Sequence, residues 1–179
     1  MHRTQLLNLL ENYKNKSSSD NSVADKFINF VKNNSDCFKR TLQYGHITGS
    51  AWVINEERTQ TLLTHHKKLD KWLQLGGHVD GNSDVLAEAI REVEEESGLT
   101  KLTLISDGIF DLDVHLIPAH KNEPEHYHYD VRFCFSTNDP DNIVISDESH
   151  DLKWISIDEI EKFTREQSVL RMVDKCFSL

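Results

Sequence analysis

Apolar residues in the first forty positions recur at three- and four-residue intervals, in two groups that begin at Leu6 and at Val23. Side chains at this spacing share one face of a helix. A polar stretch, residues 16–20, separates the groups, and its end offers a cap for the second helix. The pattern predicts an N-terminal helical hairpin over residues 1–40 and a main domain over residues 41–179. We expect the hairpin to pack against the main domain. A dimer contact and a function as a substrate lid are the alternatives.

From His46 onwards the pattern changes to extended segments that are broken by turns. Ile47–Ile54 and Thr61–Thr64 favour two strands joined by a polar turn. Further extended segments lie after residue 101 and around Trp154. One amphipathic helix, with its apolar stripe between Val85 and Val93, lies among the strands, and two short helices end the chain. Strands around one central helix, with helices at the end, predict a mixed α/β layer fold.

Two segments alternate strictly between apolar and polar residues: FDLDVHL at 110–116 and HYHYDVRF at 126–133. Alternate side chains of a strand share a face, and the short connection predicts an antiparallel hairpin that brings the two polar faces together. One interpretation is a sheet with one solvated face. The other places this polar face in a substrate cleft, as metal ligands or phosphate contacts. The candidate residues are His115, His126, His128 and Asp130.

The central helix carries a cluster of carboxylates. Glu92, Glu95 and Glu96 are three and four positions apart, so they project from one side of the helix. Stacked like charges repel, and the arrangement is costly unless a cation neutralises it. An all-oxygen cluster selects hard ions such as Mg²⁺ or Mn²⁺. A solvated acidic surface is the alternative, but the apolar stripe and the upstream pair Gly76–Gly77, which permits close backbone approach to a ligand, favour a metal site.

The spacing of these residues resembles the Nudix box, G-x5-E-x7-R-E-U-x-E-E-x-G-U, in which U is a bulky aliphatic residue. The segment Gly77–Leu99 matches eight of the nine box positions, and the resemblance extends more loosely over residues 45–161. Ser83 stands where the box has its first glutamate. The resemblance implies an α/β/α sandwich with a mixed sheet. It also implies metal-dependent hydrolysis of a nucleoside diphosphate linked to another moiety.

The resemblance further implies functions for individual residues. Glu92, Glu95 and Glu96 are the expected Mg²⁺ or Mn²⁺ ligands, together with the backbone carbonyl of Gly76. Arg91 is expected to pair with the glutamates and to fix their orientation. The residue that accepts the proton of the attacking water is left open among Glu95, Glu96 and Glu148. Of these, Glu148 comes from a loop of the kind that carries a catalytic glutamate in related enzymes.

The substitution at Ser83 changes one local expectation. In the family, the glutamate at this position mostly supports the box arginine and the start of the helix. Ser83 is instead expected to act as the helix N-cap, which leaves Arg91 to pair with Asp80, Asp84 or Glu88. We expect a less rigid site rather than a loss of activity.

Composition excludes several functions. The net charge of −10 argues against binding a nucleic-acid backbone, and no apolar run approaches the roughly 20 residues that span a bilayer. The N-terminus lacks the features of a secretory signal, which favours a cytoplasmic protein. The three cysteines are widely spaced and odd in number, so disulfides and a closed zinc site are not favoured.

Two other functions remain open on the same fold. The first is a non-catalytic, Nudix-like nucleotide-binding module, which typically lacks some of the glutamates that this chain retains. The second is isomerase chemistry on a prenyl diphosphate, which requires a cysteine acid near the first strands. Cys37 precedes those strands, and Cys134 falls on an apolar strand face. The individual diphosphate substrate, the number of ions and a homodimeric state are left open by the sequence.

Overall fold

Helices lie at both ends and in the middle of the described chain, with a sheet between them. The computed structural model describes residues 2–16, 21–120 and 123–177. The helices are α1 (Thr4–Lys16), α2 (Asn21–Asn33), α3 (Val85–Ser97), a 3₁₀ helix (Ile157–Lys162) and α4 (Gln167–Cys176). The strands are β1 (Gly45–Asn55), β2 (Gln60–His66), β3 (Lys71–Leu73), β4 (Leu75–His78), β5 (Leu102–Leu104), β6 (Asp111–Ile117), β7 (His126–Thr137) and β8 (Ser149–Ser156). Within the described ranges, no helix combines the length and the apolar character that crossing a bilayer requires.

Strand β1 is central to the mixed sheet. It runs parallel to β7 along its whole length, from the Gly45–Tyr127 pair to the Asn55–Thr137 pair. It also pairs antiparallel with β2 near its end and with β4 through residues 48–51. Strands β5 and β6 pair antiparallel with β7, and β3 and β8 pair antiparallel with β2. The predicted hairpin is confirmed, since β6 and β7 are antiparallel with His115 opposite His128.

Both faces of β1 are buried, because helices cover the sheet on two sides. Ala51 and Val53 belong to a core that includes α1, α2 and α3. The intervening Trp52 and Ile54 belong to a second core with Met172 of α4. A strand that is buried on both faces can carry a continuous apolar run, as residues 51–54 do here, instead of alternating. The layered arrangement of helices, sheet and helices agrees with the predicted sandwich.

The two N-terminal helices pack against the main domain as expected. Phe27 and Phe30 of α2 are buried, and the Phe30 ring stacks on Tyr129 of β7 with a centroid distance of 3.8 Å and an interplanar angle of 2°. Residues 17–20, which include the expected cap of α2, lie outside the described residues. The division of the chain at residue 40 stays a prediction.

The expectation that Ser83 caps α3 is wrong. Asp84 is the N-cap, and its carboxylate accepts a hydrogen bond from the Ala87 N–H at 3.1 Å. The Asp84 N–H in turn donates to the side chain of Asn82. The cap of α3 therefore lies one residue after the expected position, Ser83. At the other end, Gly98 closes α3 in the left-handed conformation, with φ of 75°.

Candidate active site

A cleft of about 560 Å³ opens between α3, β4, the β6–β7 hairpin and the loop before β8. Its walls bring together residues that lie far apart in the sequence. The predicted site residues on its surface are Gly76, Arg91, Glu92, Glu95, Glu96, His115, His128, Asp130 and Glu148. The exception is His126, which lines a smaller neighbouring cavity of about 70 Å³.

Glu96 is the most buried carboxylate of the α3 cluster, with 7% of its surface exposed. Its carboxylate accepts a hydrogen bond from the Gly76 N–H at 2.9 Å. Burial raises the pKa of Glu96 to about 8, against the effect of that hydrogen bond, and the negative charges of Glu92 and Glu148 act in the same direction as burial. The carboxyl group therefore holds a proton near neutral pH unless a cation replaces it.

Glu92 lies against strand β4, where Gly77 leaves room for its carboxylate. A Cβ built on Gly77 would come within 2.7 Å of the Glu92 carboxylate. Gly76 has φ of +152°, and a Cβ there would lie 2.6 Å from the Ser50 Cα. Burial raises the pKa of Glu92, although Arg91 opposes the shift. The two glycines thus let α3 bring its carboxylates onto the backbone of β4.

Arg91 connects three glutamates of α3. Its guanidinium donates to Glu88 at 2.7 Å, to Glu92 at 2.6 Å and to Glu95 at 2.5 Å. Of the partners left open by the sequence, Glu88 is therefore the observed one, since Asp84 caps the helix and Asp80 pairs with Arg40. The fork of donors holds Glu92 and Glu95 in fixed positions beside the cleft.

Asp130 forms part of the cleft wall, but its carboxylate is engaged by the protein. One oxygen accepts hydrogen bonds from Thr48 at 3.0 Å and Ser50 at 2.7 Å. The other accepts from Arg132 at 2.7 Å and from Gln74 at 3.3 Å. These bonds tie β1, β7 and the start of β4 together. A direct substrate contact by Asp130 stays a prediction.

The histidines of the β6–β7 hairpin lie in a larger group. His115 bonds to Asp113 at 2.9 Å, and His128 lies beside His46 and His78, with ring centroids 4.9 and 5.0 Å apart. Burial, followed by the neighbouring imidazoles, lowers the pKa of His46 to about 4. Burial also lowers the pKa of His128. The rings of His46 and His128 are therefore neutral at physiological pH.

Sequence reasoning missed His46 and His78. Each stands alone in the sequence, His46 at the start of β1 and His78 directly after the glycine pair. The signal appears only in the strand pairing, because β1 and β7 place His46 beside His128. A parallel pairing between strands eighty residues apart is not readable from local periodicity.

His66, at the end of β2, and Lys68 also line the cleft. Trp72 of β3 pairs with His65 in the neighbouring part of β2. Its ring stacks on His65 at a centroid distance of 5.1 Å and meets Phe163 edge-on, so it packs within the protein.

Comparison with solved structures shows the fold. The chain is similar to a C. elegans Ap4A hydrolase, with 22% identity, a TM-score of 0.59 and coverage of 74% of this chain and 94% of that one. It is similar to the E. coli dihydroneopterin triphosphate pyrophosphohydrolase, with 16% identity, a TM-score of 0.59 and coverage of 72% and 92%. A third match is the NUDIX domain of Shewanella oneidensis NrtR complexed with ADP ribose, with 12% identity, a TM-score of 0.53 and coverage of 84% and 96%.

The family follows from the sequence match. Among curated protein sequences, none matches the chain significantly. The family model described as the NUDIX domain matches residues 46–176, which is most of the chain. The match includes the box, the hairpin and both C-terminal helices, and it confirms the assignment to the Nudix hydrolases, which act on phosphoric anhydride bonds. The chain belongs to the Nudix family.

Proposed function

We propose that this chain hydrolyses a diphosphate bond in a nucleoside diphosphate linked to another moiety, with Mg²⁺ or Mn²⁺ as its ion. The observation that carries the proposal is the convergence of Glu92, Glu95 and Glu96 with Gly76 on one wall of the cleft. An all-oxygen donor set fits a hard divalent cation. The fit is supported by burial, which raises the pKa of both Glu96 and Glu92, because a nearby cation would offset the cost of their buried charges.

The chain's own residues prepare the site. Glu92, Glu95, Glu96 and the Gly76 carbonyl would hold the ion, which supplies charge neutralisation for the diphosphate and a more acidic water. Arg91 keeps Glu92 and Glu95 in position through its ion pairs. Side chains that orient the ligands of a metal site in this way contribute strongly to its metal affinity and activity.

We assign the proton transfer from the attacking water to Glu148. Glu92 and Glu95 are bound to Arg91, and Glu96 is bound to the Gly76 N–H. Glu148 lines the same cleft, and its negative charge contributes to the raised pKa of Glu96. Within the described ranges, no group donates a hydrogen bond to the Glu148 carboxylate, which leaves both oxygens available as acceptors.

On the substrate side, we assign contacts to His115, His128, His66 and Lys68, which all line the cleft. The proposal does not include His126, which faces the smaller cavity. The molecules named for three relatives, Ap4A, dihydroneopterin triphosphate and ADP ribose, are phosphoanhydrides that carry a heterocycle. This shared chemistry supports a substrate of the same class for this chain. A cytoplasmic location and a homodimer stay predictions.

The test is a hydrolysis assay with Mg²⁺ on a panel of nucleoside diphosphate derivatives, with the phosphate products identified. We expect turnover of at least one compound, and Glu95→Gln is expected to lower kcat by at least a hundredfold. Glu94→Gln is the matched control, because Glu94 is exposed on the same helix and lies outside the cleft lining. Absence of metal-dependent turnover over the whole panel would refute the enzymatic function.

A non-catalytic nucleotide-binding module is the second candidate. The structural match to a NUDIX domain in complex with ADP ribose favours it, since that fold holds a nucleotide in NrtR. Calorimetric binding of ADP ribose without any product would support it. The isomerase alternative lacks its acid, because Cys37 and Cys134 are buried and burial raises the pKa of both thiols.

A further inference from the structure

A second group of metal-binding side chains lies beside the carboxylate site. His46, His78 and His128 come from three strands, and one ring nitrogen of each lies within 4.8 Å of the others. The backbone sets this arrangement: β1 and β7 pair His46 with His128, while β1 and β4 pair Thr48 with His78. Residues 46 and 48 share a face of β1. The three imidazoles therefore meet on one side of the sheet.

His46 lacks the hydrogen bonds that a buried histidine normally makes. It is 3% exposed, and neither ring nitrogen has a partner among the described residues. Leaving a buried polar group unsatisfied costs about 1–3 kcal/mol. The ring faces other imidazoles, which are themselves nitrogen donors. A cation is the partner that satisfies several such nitrogens at once.

We propose that His46, His78 and His128 bind a transition-metal ion of the Zn²⁺ class, at a site distinct from the carboxylates of α3. Neutral imidazole suits zinc, copper, nickel and cobalt, whereas Mg²⁺ and Mn²⁺ prefer oxygen. The two sites thus select different ions by donor chemistry. Three protein ligands leave one tetrahedral position open. His78 and His128 also line the cleft, so an ion held by the three imidazoles would lie beside it.

A fourth histidine, His126, lies beside His128. Its Nε2 lies 3.3 Å from the Nε2 of His128, which is about the separation of two nitrogens on one tetrahedral zinc with bonds of roughly 2.0–2.1 Å. The His126 Nδ1 lies 2.8 Å from the Pro124 carbonyl. That contact places the ring proton on Nδ1 and leaves Nε2 as a lone-pair donor.

The nearest cationic group does not oppose the site strongly. Arg40 lines the smaller cavity together with His46, His78 and His126. Its guanidinium makes a two-bond ion pair with Asp80, at 2.6 and 2.7 Å. The carboxylate offsets the arginine charge, so the site beside it is close to neutral before an ion enters.

The experiment is a titration of the metal-free protein with Co²⁺, followed by visible absorption, with Mg²⁺ in excess to occupy oxygen sites. We expect one Co²⁺ per chain with the intense absorption of tetrahedral coordination, displaced by one Zn²⁺. His78→Gln and His128→Gln should each weaken binding at least tenfold. Glu96→Gln and His150→Gln are the controls, and both should bind like the wild type, because His150 is exposed on β8.

A second measurement guards against misfolded variants. Zn²⁺ should raise the Tm of the wild type and of His150→Gln, but not that of His78→Gln or His128→Gln, whose far-ultraviolet circular dichroism should stay native. The proposal is overturned if no tetrahedral band appears. It is equally overturned if binding survives the histidine changes and disappears in Glu96→Gln, which would place the ion among the carboxylates. Neither readout uses substrate, so failure of the hydrolysis assay has no bearing on this result.

Discussion

The backbone N–H of Gly76 donates a hydrogen bond to the Glu96 carboxylate at 2.9 Å. The bond joins β4 to α3 and holds a carboxyl group in a buried position beside two other glutamates. A group with an ordinary pKa would be ionised there at neutral pH. Glu96 instead has its pKa raised to about 8, chiefly by burial. Burial of the ionised carboxylate therefore lowers the stability of the metal-free protein, and a bound cation would offset this loss.

The first prediction concerns the pH dependence of stability in the metal-free protein. Between the unfolded pKa near 4.5 and the folded value near 8, the native state holds a proton that the unfolded state releases. The contribution of Glu96 is thus fully present below pH 4.5 and is lost as the pH rises to 8, by roughly 3–5 kcal/mol. Urea unfolding in EDTA should show this loss in wild type relative to Glu96→Gln. Parallel pH profiles for the two proteins would contradict the burial of an acidic proton.

The second prediction tests the positioning function of Arg91. Arg91→Ala removes the ion pairs of Glu92 and Glu95. Without the cation between them, the two carboxylates repel each other. We expect kcat to fall about 10–100-fold and the Mg²⁺ concentration for half-maximal activity to rise. Arg165→Ala, at an exposed position outside the cleft lining, is the control. An unchanged Mg²⁺ requirement in Arg91→Ala would show that Arg91 has no such function.

The third prediction uses the glycine beside Glu92. A methyl group at Gly77 would lie 2.7 Å from the Glu92 carboxylate, which is the far end of a flexible side chain and can move away. Gly77→Ala should therefore keep its fold, with a loss of about 1 kcal/mol or less in unfolding free energy. Mg²⁺ affinity, measured by calorimetry, should fall at least tenfold. Retained affinity would mean that Mg²⁺ binding does not depend on the position of Glu92 against β4.

The fourth prediction concerns the buried charge network behind the cleft. Arg132 is 1% exposed and forms ion pairs with Asp111 at 3.1 Å, Asp130 at 2.7 Å and Asp113 at 3.5 Å. Arg132→Met removes the cation and leaves buried carboxylates without it. We expect a loss of about 3–5 kcal/mol in unfolding free energy. Arg165→Met, at the exposed position, should stay within about 0.5 kcal/mol of wild type; a similarly small change at Arg132 would refute the prediction.

The fifth prediction distinguishes the two residues at the start of α3. Asp84→Ala removes the carboxylate that accepts the Ala87 N–H and should cost about 1 kcal/mol. Ser83→Ala should leave the unfolding free energy nearly unchanged, because Ser83 precedes the cap. Thermal or urea unfolding of the two variants gives a direct comparison. Equal losses would restore Ser83 as a capping residue.

Local patterns predicted much of the fold. The three- and four-residue spacing located α1, α2 and α3, and strict alternation located β6 and β7, because helices and strands repeat at 3.6 and 2 residues. The box spacing placed Glu92, Glu95 and Glu96 on one side of α3. Local patterns did not reveal the Asp84 cap, because two adjacent capping residues differ only in the turn that leads into the helix.

The sequence by itself determined which side chains share a face of one helix or one strand, and so it determined the carboxylate cluster and the polar face of the hairpin. Only the tertiary structure decided what those faces meet. The parallel pairing of β1 with β7 brought His46 to His128, separated His126 from the main cleft and engaged Asp130 with Ser50 and Arg132. The physical reason is that periodicity follows from backbone geometry over a few residues. Strand pairing depends on contacts between segments eighty residues apart, and these form only when the whole chain packs.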